Sequence, residues 1–146
     1  MKRISKTILA LTFIAILFSC SDDDNETPIN INDLIGVWEL NSITSNGEEL
    51  IENPDCLDRY TFTASDVNYV EYFDFDDNNG CVIVPGQDLD QTVPYSVQGT
   101  NITFGDGGFD SYTYEIINLN STTLVLRDVY TDEGITYTDI ETYNKL

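Results

Sequence analysis

The sequence predicts an all-β protein, an eight-stranded antiparallel up-and-down β-barrel that follows an N-terminal signal peptide and a linker. Three observations lead there. Apolar and polar residues alternate along short runs such as Tyr60-Thr61-Phe62 and Tyr112-Thr113-Tyr114, and a period of two is the signature of a strand with one buried face. Most runs are joined by short turns rich in Gly, Asn and Asp, among them Gly99-Thr100-Asn101, Asn120-Ser121 and Asp132-Glu133-Gly134, which favours hairpins between consecutive strands. No long helical period of apolar residues intervenes, and a meander of eight strands removes its exposed edges by closing on itself.

The elements follow in order. Asp33 and Leu34 belong to a short turn of helix that closes one end of the core, and the first strand runs from about Gly36 to Thr44 with the only tryptophan, Trp38. After Asn46-Gly47 a loop carrying Pro54 and Cys56 leads to a second strand, Arg59 to Thr63. Ala64-Ser65-Asp66 then turns the chain into a third, Val67 to Phe73. Val67, Tyr69 and Phe73 share one face of that strand and Val70 and Tyr72 the other, so its inward face stays open. The run Asp74 to Gly80 is a turn by composition, and a looser segment passes through Pro85-Gly86. Tyr95 to Gln98 and Ile102 to Phe104 form a tight hairpin, and Tyr112 to Ile116, Thr123 to Tyr130 and Ile135 to Tyr143 complete the eight.

Residues 1–19 have the pattern of a targeting segment. Lys2, Arg3 and Lys6 form a basic head, and Ile8 to Phe18 are apolar except for Thr12. A helix of that length spans about 16 Å at about 1.5 Å per residue, well short of the roughly 30 Å hydrocarbon core of a bilayer. Leu17-Phe18-Ser19-Cys20 resembles the lipobox of bacterial lipoproteins, which implies cleavage before Cys20 and acylation of its thiol and freed amine. Cys20 is then a membrane tether, since two or more acyl chains anchor stably where one does not. Ser21-Asp22-Asp23-Asp24 resembles the acidic export signal that sends some Gram-negative lipoproteins to the outer face of the outer membrane; a solvated acidic linker is the plainer reading. Residues 20–32, with Pro28 and several Asn, are expected to be a polar spacer, and residues 33–146 the barrel domain.

The whole chain carries a formal charge of -20, and removal of the signal leaves Arg59, Arg127 and Lys145 against 26 carboxylates. So acidic a surface repels phosphate, which argues against nucleic acid and anionic lipid head groups as partners. With Cys20 acylated, two cysteines remain, and in an oxidising compartment Cys56 and Cys81 are expected to pair. A loop of that size is worth about 3.5 kcal/mol in the chain-entropy account.

Gly36-Val37-Trp38, the cysteine pair that brackets the second and third strands, and the hairpin Tyr95 to Phe104 together resemble lipocalin-like lipoproteins of Gram-negative bacteria. The resemblance covers about residues 33 to 143. It implies a barrel whose base is plugged by Trp38 with a late-strand cation laid across the indole. Arg127 is the expected cation because it falls mid-strand, whereas Lys145 lies past the end of the last strand; a surface ion pair is the other use open to Arg127. Trp38, Leu40, Tyr60, Phe62, Tyr112 and Tyr114 are the expected barrel-interior or pocket residues. They either fill a small barrel themselves or wall a ligand site.

Catalysis by Ser-His or Cys-His pairs is excluded, because the chain has no histidine, and carboxylate pairs are too abundant to single one out. The protein is therefore expected not to be an enzyme and to need no cofactor. Asp74, Asp76 and Asn78 place oxygens at alternate positions as in the start of a Ca²⁺ loop, but Gly80 falls one place late and Pro85 stands where such loops carry their last Glu. Two functions follow: a surface-tethered module binding a small apolar or aromatic ligand in the barrel, or a filled barrel contacting other surface proteins or polysaccharide. A contiguous interior cavity separates them.

Overall fold

The computed structural model describes residues 29–50, 56–74, 81–82, 90–108 and 111–146. Asn30 caps a one-turn helix, α1 (Ile31–Leu34), by accepting from the backbone N–H of Asn32 at 3.2 Å, as short polar side chains do at helix starts. Ile29 packs against the core. The ordered domain therefore includes residues 29–32, which the sequence assigns to the spacer.

Among the described residues eleven strands follow: β1 (Gly36–Ser45), β2 (Glu48–Leu50), β3 (Arg59–Phe62), β4 (Asp66–Val70), β5 (Phe73–Asp74), β6 (Cys81–Val82), β7 (Asp90–Gln98), β8 (Asn101–Phe104), β9 (Tyr112–Leu119), β10 (Thr123–Asp132) and β11 (Ile135–Lys145). Eight of them, β1, β3, β4 and β7 to β11, pair antiparallel in a ring that closes where β11 meets β1. This is the eight-stranded up-and-down barrel the sequence predicts. The additions are local. Asn46 and Gly47 both take positive φ, 51° and 82°, as a two-residue hairpin turn requires, so β1 folds back onto β2 where the sequence reading leaves a loop. The third predicted strand stops at Val70, and a small β5–β6 hairpin stands apart from the ring. The strand predicted from Tyr95 begins instead at Asp90.

Strand parity sorts the residues. Leu34, Trp38, Phe62, Val67, Ile102, Leu124 and Leu126 are 0–2% exposed and belong to one packed core inside the barrel. Trp38 Nε1 donates to the carbonyl of Leu34 at 2.6 Å, so α1 both covers the indole and satisfies its only polar atom. The cation over the ring is Lys145, its Nζ 4.9 Å from the ring centroid and donating to the Asp33 carbonyl at 2.8 Å. Arg127, the expected partner, instead pairs with Glu115 across β9 and β10. The reason is register: β11 continues two residues beyond its predicted end, and Lys145 pairs directly with Trp38. Gly36 permits this, because a Cβ there would sit 2.7 Å from Lys145 Cε and its φ of +138° is one that side chains disfavour.

Cys56 and Cys81 form a disulfide with Cα atoms 5.1 Å apart. It joins the segment before β3 to β6.

Candidate functional site

Above the packed base the barrel is hollow. A cavity of about 350 Å³, with no residue of α1 in its lining, lies inside the ring, within the range of small-molecule sites, about 300–1,000 Å³. Its inner surface is aromatic: Tyr60, Phe104 and Tyr143 are 2–6% exposed, and Tyr112, 66% exposed, stands at the rim. The Tyr60 ring centroid lies 5.0 Å from that of Tyr69, 5.2 Å from Phe104 and 5.1 Å from Tyr143, distances at which tilted aromatic pairs attract.

The same parity that points these rings inward also points acids inward. Asp58 stands two residues before Tyr60, Glu71 two after Tyr69 and Glu141 two before Tyr143, and all three carboxylates line the cavity. Tyr143 donates its hydroxyl to Glu141 Oε2 at 2.7 Å. Asp58 accepts from the Tyr69 hydroxyl at 3.3 Å and from the Tyr72 backbone N–H at 2.9 Å. Burial raises the Asp58 carboxyl above the ordinary carboxylate range, against the lowering effect of those two hydrogen bonds. Burial likewise raises Glu141; the Tyr143 hydrogen bond opposes it, and Asp128, Asp139 and Asp58 add to the rise. The hydroxyls of Tyr60, Tyr69, Tyr114 and Tyr143 are pushed up, first by burial, so all four remain neutral at physiological pH.

Among the described residues no Lys or Arg lines the cavity. Arg59 donates its Nε to Glu39 at 2.8 Å and lies 5.7 Å from the centroid of the Tyr72 ring. Arg127 is bound to Glu115, and Lys145 is at the base.

Of the residues expected in the interior, Leu40, Tyr60, Tyr112 and Tyr114 line the cavity, whereas Trp38 and Phe62 lie beneath it in the packed base. Sequence reasoning missed Asp58, Tyr69, Glu71, Glu141 and Tyr143 as site residues. The signal was present as an acid two residues from a tyrosine of each of three strands, on β11 itself and just outside the ends of β3 and β4, but charged residues ordinarily face water. Cys20, Asp76 and Asn78 lie outside the described residues; Asp74 pairs with Cys81 at the end of β5. Among the described residues no group of three His, Cys, Asp or Glu is arranged to hold a metal ion.

A closed eight-stranded barrel, plugged at one end by a tryptophan and hollow at the other, is a binding-protein fold. The chain belongs to the lipocalin-like domain family, whose model matches residues 34–126. Among solved structures it is similar to a lipocalin-like protein from Bacteroides uniformis, with 18% identity over 78% of this chain and 99% of that one and a TM-score of 0.51. It is also similar to the bovine lipocalin allergen Bos d 2, with 16% identity over 81% and 76% and a TM-score of 0.49. A bovine odorant-binding protein solved in complex with undecanal shares 19% identity over 81% and 74%, with a TM-score of 0.46. No curated protein matches the chain.

Proposed function

We propose that this protein is a lipid-anchored, outward-facing binding protein that takes a small apolar or aromatic ligand into the mouth of its barrel and performs no chemistry on it. The observation that carries the reading is the cavity. A barrel filled by its own side chains would leave only its exterior to work with, whereas here about 350 Å³ of aromatic-walled space lies above the packed base.

The binding half of the reading is tested with the neutral fluorescent probe N-phenyl-1-naphthylamine. Saturable binding at one site with micromolar affinity is expected, together with a thermal midpoint that climbs with probe concentration, because a ligand of the folded state stabilises by mass action. Val93→Trp, which places a large side chain in the cavity wall, is expected to abolish the binding while the fold persists. Absence of saturable binding to the wild type would favour a module that works through its exterior.

The anchor rests on the basic head, the apolar run and the Leu17-Phe18-Ser19-Cys20 lipobox, followed by the acidic run Asp22 to Asp24. Cys20→Ala is expected to release the protein from membranes. If the variant still sediments with outer membranes after a high-salt wash, the tether is something other than Cys20 acylation.

A further inference from the structure

We propose that the ligand is an organic cation, with an apolar or aromatic body lying on the tyrosine rings and an ammonium group held between Asp58 and Glu141. The inference rests on the reading of the cavity as a ligand site and narrows its chemistry. Carboxylates drawn partly out of water are costly to hold there unless a positive charge or sufficient hydrogen bonds offset the loss, and a ligand cation supplies such a charge. Here Asp58 and Glu141 converge on one cavity, and among the described residues no Lys or Arg stands in its wall. Among the described residues Glu141 receives one hydrogen bond, from Tyr143, and Asp139, two residues earlier on the same face of β11, faces Asp128 across the β10–β11 pair. Asp139 Oδ1 is buried with no hydrogen-bond partner among the described residues. A cation entering the cavity meets carboxylates in its wall and, among the described residues, no competing Lys or Arg.

The tyrosines fit the same guest. Tyr60, Tyr69, Tyr114 and Tyr143 all line the cavity, and aromatic faces attract ammonium groups, most strongly where water is excluded. The excess of carboxylates over the chain as a whole further favours the approach of cations and disfavours that of fatty acids and other anions. A preformed cage of rings closed by carboxylates therefore distinguishes an amine from an alcohol or acid of the same shape.

A matched trio decides the matter by calorimetry on the full mature protein: 4-phenylbutylamine, 4-phenylbutan-1-ol and 4-phenylbutyrate. The amine, with an ammonium pKa of about 10.4 like that of lysine, is fully charged at pH 7. It is expected to bind about tenfold or more tighter than the alcohol, a difference of about 1.4 kcal/mol, with the acid weakest. Glu141→Gln and, separately, Asp58→Asn are expected to narrow the ratio of amine to alcohol affinity, whatever either does to the affinity for the alcohol itself. Equal binding of amine and alcohol by the wild type would overturn the cation assignment and leave the apolar-ligand reading standing. Binding of none of the three, with N-phenyl-1-naphthylamine also failing to bind, would overturn both. Should either variant fail to fold, the wild-type ranking of the trio still decides.

Discussion

Trp38→Ala is expected to lower the unfolding free energy by about 3–5 kcal/mol, the usual cost of removing a large core aromatic, from a domain whose whole stability is on the order of 5–15 kcal/mol. Four things are lost together. The side chain is fully buried, so its removal empties the base of the barrel. Its Nε1 no longer binds the Leu34 carbonyl, Lys145 loses the ring beneath it, and α1 loses the surface it covers. A double-mutant cycle assigns the cation. Trp38→Phe combined with Lys145→Met is expected to show a coupling of about 0.5–2 kcal/mol. Trp38→Phe with Arg127→Met is expected to show none, since Arg127 sits in a partly exposed pair with Glu115, and such pairs contribute about 0–1 kcal/mol. Urea unfolding followed by far-ultraviolet circular dichroism gives the values without relying on tryptophan fluorescence. A coupling confined to Arg127 would show that the base of the barrel is organised differently in solution.

The second large effect belongs to the disulfide. Cys56→Ser is expected to cost about 2–5 kcal/mol, because the bridge closes a loop in the unfolded chain between residues 25 apart in sequence. Folding must then order that segment unaided. The consequence extends to the cavity, since Cys56 is buried two residues before Asp58, and Asp58 is the carboxylate that gathers Tyr69 and the Tyr72 backbone. The variant is thus expected to bind probe more weakly even at temperatures where it remains folded. Alkylation of the denatured, unreduced wild type provides the direct check: both thiols should be protected, and two free thiols would show that the bridge does not form.

The number of ring strands and their meander order could be read in the sequence because both are written locally. Alternation of apolar and polar residues and the turn residues at Gly99, Asn120 and Gly134 need no knowledge of distant neighbours. Where local signals were left unread, as at Asn46-Gly47, the structure added a hairpin but did not change the ring. The pairing of Cys56 with Cys81 was also legible, since these two cysteines remain once Cys20 is set aside as the expected point of lipid attachment.

Three features depended on register and closure, which only the tertiary structure decides. Lys145 crosses Trp38, and Arg127 does not, because β11 runs on to pair with the start of β1, a contact between the two ends of the domain that no local pattern encodes. The inward face of β4 was ambiguous from its own residues; pairing of Tyr69 with Tyr60 on β3 settled it. The carboxylates of Asp58, Glu71 and Glu141 look in sequence like ordinary solvated acids. They become a site because closure of the ring brings Asp58, just before β3, Glu71, just after β4, and Glu141 on β11 to a common space, where burial raises Asp58 and Glu141 above their ordinary range. Composition set how acidic and aromatic the chain is, and closure of the barrel decided that acid and ring meet in one cavity.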